Sequence, residues 1–314
     1  MNTKRVQRFV AVAVMVMVVS TAFVSLGLVN NQGINLSFSG SIFNILSGKG
    51  NNNVKPSSTA PTYVLLVHGY DLSGHGESHV WTSGVNVYNQ LVSAGYIVGV
   101  VTYYGNFSIA FSNGATYQNS SFSATINTPI ENISLVLGNA IESIFNGMNV
   151  NLDIVAHSMG GLITEYMLEH FQFSNINLKN VIYIATPFDG SPLAALSNYL
   201  LIQSGYQADQ MVKGSNFLTS LRNNESSAFT YYSNTNWIVY SGNHDPWWGY
   251  MIFSGNNDGV VSDNSATYIN YTYSYTFNAV HSSSVATYTT SGISYFQDQN
   301  VANTILSNLN GTYN

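Results

Sequence analysis

The apolar positions of this chain change period along its length, and each change marks an element. Tyr63 to Val67 is a compact apolar run, the length of a strand buried on both faces. Val85 to Leu91 carries a helical stripe that ends near Gly95. Tyr96 to Tyr103 predicts a second strand, rich in valine. Residues 105–128 are polar and aromatic, and read as a long loop. Ile133, Val136, Leu137, Ile141, Ile144 and Phe145 recur at helical spacing behind Pro129, which suits a first turn, so a helix is predicted over 129–148. Leu152 to Ala156 predicts a strand and Ile163 to Phe171 a helix. Val181 to Ala185, Trp237 to Tyr240 and Thr272 to Val280 predict further strands, and Tyr295 to Leu309 a closing helix. Strands that alternate with helices predict an α/β fold with a mostly parallel sheet covered on both faces.

The flanks follow a different pattern. Residues 1–29 hold Lys4, Arg5 and Arg8 and then an uncharged run from Phe9 to Val29. Basic residues before an apolar run are the pattern of an export signal, and the run is also long enough for a membrane anchor. Either reading puts the body outside the cytoplasm, secreted or held at the membrane. Residues 30–62 are rich in turn formers and read as a low-complexity tether. The folded domain is expected over 63–314. Between Pro187 and the Trp237 strand lies an unusually long connection, with Leu193, Ala194, Leu196, Tyr199, Leu200, Leu201, Met211, Phe217 and Leu218, which reads as an apolar cap over about 188–235.

Composition narrows the function. Only 7% of the 314 residues are charged, against about 25% in ordinary domains. No basic stripe exists, so nucleic acid is not an expected partner. There is no cysteine, which excludes disulfides, zinc–thiolate sites and a thiol nucleophile. Seven Asn-x-Ser/Thr sequons, at Asn35, Asn106, Asn119, Asn132, Asn224, Asn270 and Asn310, are compatible with an exported glycoprotein. A surface of hydroxyls and amides has few paired carboxylates to lose in acid, so an acidic habitat is an expectation.

The chemistry centres on Ala156-His157-Ser158-Met159-Gly160-Gly161, where an apolar strand run meets a helical pattern. Small residues on both sides of a sharp turn lift a serine hydroxyl toward a base. Ser158 is the candidate nucleophile. The base is expected late in the chain, after the last strand, and His281 stands there. The acid is expected between them in order, and Asp245, Asp258 and Asp263 are candidates. The oxyanion donors are expected from the Met159 amide and from the Tyr70 amide in the His68-Gly69-Tyr70 loop. His157 lies beside the serine but is expected to point to the other side of the turn. His75, His79, His170 and His244 read as solvent-facing or local hydrogen-bond partners.

These pieces together resemble the α/β-hydrolase superfamily, and within it the bacterial-type lipases and esterases. The matching segments are Val67-His68-Gly69, Ala156 to Gly161, Ala185-Thr186-Pro187-Phe188-Asp189-Gly190-Ser191 and Asn257-Asp258-Gly259-Val260-Val261. Ala185 and Phe188 replace the glycine and histidine of the family's Gly-Thr-Pro-His element. The alanine at position 156 resembles the small lipases of bacilli. The resemblance implies Asp258 as the acid. Some such lipases bind calcium through an aspartate two residues after the histidine. Ser283 stands there, so no metal or other cofactor is expected.

The implied activity is hydrolysis of a lipid or other small-molecule carboxylic ester through an acyl-enzyme on Ser158. Tyr103, Tyr104, Phe107 and Phe111, and Trp247, Trp248, Tyr250, Met251 and Phe253, are candidates for the apolar wall of such a site. Acyl transfer to an alcohol, thioester cleavage, peptide cleavage and a non-catalytic binding protein on the same fold are the alternatives.

Overall fold

The computed structural model describes residues 61–71, 74, 78–199, 205–244, 252–253, 255–286, 289 and 291–313. The expected leader over 1–29, nearly all of the tether, His75, Leu200, Leu201, Asp245, Trp247, Trp248, Tyr250 and Met251 lie outside the described residues, as do the side chains of Leu196 and Tyr199.

The chain runs β1 (Thr62–Val67), α1 (Val87–Ser93), β2 (Ile97–Thr102), β3 (Gly105–Phe111), β4 (Thr116–Ala124), α2 (Ile130–Phe145), β5 (Val150–His157), α3 (Met159–His170), β6 (Ile176–Ile184), α4 (Pro192–Tyr199), α5 (Gly205–Gln210), α6 (Asn216–Tyr231), β7 (Asn236–Gly242), α7 (Asp263–Ala266), β8 (Tyr273–Phe277), α8 (Ser283–Ala286) and α9 (Gln299–Leu309). The described strands form one sheet of order β4-β3-β2-β1-β5-β6-β7-β8. Six strands, β2 to β8 across that order, are parallel, and β3 and β4 add an antiparallel edge.

The compact apolar runs are explained by burial of both sheet faces. Tyr63, Leu65 and Val67 of β1 join Leu152, Ile154 and Ala156 of β5 in a larger core under α2, α3 and α6. The alternate residues Val64, Leu66, Val155, Ile182, Ile238 and Tyr240 face a second core under α1 and α9.

The expectation of a loop over 105–128 is corrected: it is the β3–β4 hairpin. Phe107, Ile109 and Phe111 are buried at period two, but β4 is a half-exposed edge built from Ser, Thr, Asn and Gln, a composition that reads as loop. Strand β1 already begins at Thr62, inside the expected tether. Within the expected cap, α6 packs on α3, and Met211, Phe217 and Leu218 belong to the larger core, as do Tyr103, Tyr104, Phe107 and Phe111. Helix α5 is pinned to the segment before α2. Gln207 Nε2 donates to the Thr125 and Thr128 carbonyls, and Gln210 Oε1 accepts the Ile130 amide at 2.8 Å, capping α2.

Candidate active site

Parallel strands bring His68, Ser158, Ala185, Asp258 and His281 to the carboxyl end of the sheet, each following its strand. Ser158 sits between β5 and α3 with φ 55° and ψ −129°, a conformation most residues avoid. Such a residue stores about 1–3 kcal/mol, which its surroundings must offset. Its amide donates to the Ile184 carbonyl at 2.8 Å, and its carbonyl accepts the Gly161 amide at 3.0 Å.

The glycines at this turn are there for space. A Cβ on Gly160 would lie 2.3 Å from the His68 carbonyl oxygen, and one on Gly161 would lie 1.9 Å from Thr186 Oγ1. A Cβ on Gly69 would meet Ser158 Cβ at 2.8 Å, so the loop after β1 passes directly beside the serine. The extra methyl of Ala156 is accommodated in the larger core, between Val67 and Tyr183 on the neighbouring strands.

Ser158 Oγ lies 3.0 Å from His281 Nε2, and His281 Nδ1 lies 2.8 Å from Asp258 Oδ2. Asp258 is 1% exposed, whereas Ser158 and His281 are each 7% exposed, so only the reacting end of this relay touches solvent. The carboxylate is held on its other oxygen, which accepts the Val260 and Val261 amides at 2.9 and 2.7 Å. The His281 amide donates to the Asp258 carbonyl at 2.9 Å, tying base and acid together through the backbone as well. Of the candidate acids on described residues, Asp258 is the one whose carboxylate meets His281. Asp263 is the first residue of α7, a helix capped by Ser262, whose hydroxyl accepts the Ser265 amide.

Two further histidines crowd the site. His68 is fully buried, stacks on Tyr103 with ring centroids 4.0 Å apart, and has its affinity for a proton pushed down to about 4 by burial. The His157 ring lies 4.8 Å from that of His281, so it packs against the base where it was expected to point away. Burial, then the charge His281 would carry, hold His157 well below the ordinary histidine range, and it stays neutral. His79 and His170 are exposed and His244 is half-buried, and the last two meet local partners, the Tyr166 carbonyl and Asn278.

Met159 opens α3, where an amide has no acceptor within the helix. Tyr70 follows Gly69 in the loop beside the serine. Both expected oxyanion donors are therefore on segments that flank Ser158.

The model of the lecithin:cholesterol acyltransferase family matches residues 135–313, more than half of the chain. The chain belongs to that family. The match covers Ser158, Asp258 and His281 and leaves the His68-Gly69-Tyr70 loop outside it. No curated protein matches the chain.

Among solved structures, the mature form of Bacillus licheniformis lipase BlEst2 superposes with a TM-score of 0.52 at 18% identity, over 82% of this chain and 93% of that one. Its propeptide form gives 0.52 at 20% identity over 72% and 47%. Legionella pneumophila phospholipase PlaB gives 0.52 at 14% identity over 71% and 54%. This chain thus spans about half the length of the latter two. At such identities the likeness concerns the fold, which is that of an α/β-hydrolase.

Within this member of the lecithin:cholesterol acyltransferase family, sequence reasoning missed two residues at the site. Tyr295 is fully buried and its hydroxyl lies 3.3 Å from Asp258 Oδ2. Gly242 closes β7 against the same group. Neither stands in a motif, and their only signal is an aromatic and a glycine near the ends of elements. Among the described residues no group of His, Asp and Glu is arranged to hold a metal, and no helix is long and apolar enough to cross a membrane.

Proposed function

We propose that the chain is a serine carboxylic-ester hydrolase of the lipase type. The observation that carries this is the unbroken relay from Ser158 Oγ to His281 to Asp258, with steps of 3.0 and 2.8 Å, on a strained turn flanked by space-requiring glycines. In this reading Ser158 Oγ attacks the ester carbonyl while His281 Nε2 takes its proton. Asp258 holds the imidazole with Nδ1 protonated and stabilises the imidazolium. The Met159 and Tyr70 amides receive the oxyanion. His281 returns the proton to the departing alcohol, leaving an acyl group on Ser158. Water, deprotonated by His281, then attacks the acyl-enzyme and releases the acid. No step calls for a cofactor.

A lipid ester is the substrate class best supported, because the family is named for a lipid acyl transfer and the similar folds are a lipase and a phospholipase. The family match also favours a second reading, in which an alcohol replaces water at the last step. The uncharged run after Lys4, Arg5 and Arg8 supports placing the body outside the cytoplasm.

A fluorophosphonate probe tests the nucleophile: the protein is expected to be labelled and Ser158→Ala is expected to be inert. Nitrophenyl esters of increasing chain length, with and without an added alcohol, then report acyl preference and transfer. Labelling that persists in Ser158→Ala would remove the reading.

A further inference from the structure

We infer that Tyr295 is a positioning residue for this site, with a hydroxyl that shares Asp258 Oδ2 with His281 and so sets how strongly the carboxylate acts on the imidazole. The inference rests on the function proposed above.

The geometry is specific. Asp258 Oδ1 is saturated by the Val260 and Val261 amides. Oδ2 meets two groups, His281 Nδ1 at 2.8 Å and Tyr295 Oη at 3.3 Å. An ionised carboxylate only accepts, so the phenol is the donor. Burial and the neighbouring Asp258 both raise the phenol's own proton affinity, so it never ionises there.

Gly242 supplies the independent observation. Its φ is not in the left-handed region, so backbone freedom does not require a glycine. A Cβ at this position would lie 2.5 Å from Tyr295 Oη, 2.5 Å from the Ala279 carbonyl oxygen and 2.8 Å from Asp258 Cβ. The missing side chain at the end of β7 is what lets the phenol reach the acid.

The consequence has a sign. A hydrogen bond from the phenol neutralises part of the carboxylate's charge, leaving less to stabilise the imidazolium. Without it, Asp258 acts on His281 alone, and the imidazolium persists to higher pH. The other groups around the base are accounted for. His157, at the end of β5, is held neutral, and the buried His68 near it is also pushed toward the neutral form. Ser158 faces Nε2. Asp263, on α7, acts on Tyr295 from farther away.

The test is the pH dependence of the rate at which a fluorophosphonate inactivates the full chain, with Tyr295→Phe beside the unmodified protein. The substitution removes one oxygen and keeps the ring packing. The acid limb is expected to move upward by roughly half a unit to one unit, so that below it the variant reacts about 3–10-fold more slowly. Gly242→Ala, which fills the slot, is expected to move the limb the same way. An unmoved limb in Tyr295→Phe, with only a lower melting temperature, or a limb moved downward, overturns the inference while the proposed nucleophile stands. If the unmodified protein fails to react at any pH, the reading of the site falls and this inference with it.

Discussion

Helix α3 carries two carboxyl groups that the proposed reaction does not use, and they make a prediction opposite to the usual behaviour of proteins in acid. Glu165 is 1% exposed; one of its oxygens accepts the Tyr183 hydroxyl and the other has no partner. It lines a small gap with Phe188, Leu218, Leu221, Arg222 and Glu225, with room for about one water molecule. Burial pushes its proton affinity up to about 8. Glu169, one turn on, is lifted to about 9 by burial and by Glu165 and Glu225. A carboxyl raised in the folded state favours folding fully below its unfolded value near 4.5, and that contribution is lost as pH rises toward the folded value. For Glu165 alone, a lift from 4.5 to about 8 at about 1.4 kcal/mol per unit sets a ceiling of roughly 5 kcal/mol. Part of this is already lost at pH 5, and relaxation and water entry halve the remainder, so the folded protein is expected to be about 2 kcal/mol less stable at pH 8 than at pH 5. Asp153, raised to about 6 by burial, adds the same sign at lower pH. Glu165→Gln keeps an acceptor for Tyr183 and removes the charge. Urea unfolding followed by circular dichroism at pH 5 and 8 checks it. The variant is expected to match the unmodified protein at pH 5 and exceed it by about 2 kcal/mol or more at pH 8. Unmodified protein that gains stability between pH 5 and 8, or a variant weakened equally at both, would refute the argument.

Three further outcomes follow from the site. Asp258→Asn keeps an oxygen for the Val260 and Val261 amides but presents the wrong partner to His281 Nδ1, so kcat is expected to fall about 10³–10⁴-fold with little change in melting temperature; steady-state kinetics on a nitrophenyl ester would show it. Gly160→Ala forces a methyl against the backbone carbonyls of His68 and Val67, which have nowhere to go. A loss of about 2–3 kcal/mol in denaturant unfolding and of probe labelling is expected. Ala185 holds φ 51°, a left-handed conformation that glycine adopts without steric cost. Ala185→Gly relieves about 1 kcal/mol of steric cost against a smaller entropic one, so a melting temperature equal or higher by about 1–2 °C is expected in calorimetry, and a clear drop would count against strain there.

Much of this protein was legible before it was folded. The runs at Tyr63–Val67, Leu152–Ala156 and Val181–Ala185 announced strands because both faces of a parallel sheet are buried and nearly every residue is apolar, the buried Asp153 being the exception. The stripe from Ile133 to Phe145 announced α2, and small residues around Ser158 announced the turn. Such signals are local: period and size are properties of neighbours along the chain. The β3–β4 hairpin escaped notice because an edge strand buries one face only, and β4 little of that.

What the residues alone left open was everything that depends on distance across the sheet. Ser158 and His281 are 123 positions apart and meet only because β5 and β8 lie in one parallel sheet, with their loops at the same end. Resemblance pointed to Asp258, and only the fold brings its carboxylate within 2.8 Å of the imidazole. The neutral His157 packed against the base, the Tyr295 hydroxyl on the acid and the empty slot at Gly242 were decided by tertiary structure alone. Each is a side chain, or its absence, whose meaning comes from what another element brings within about 3–5 Å of it.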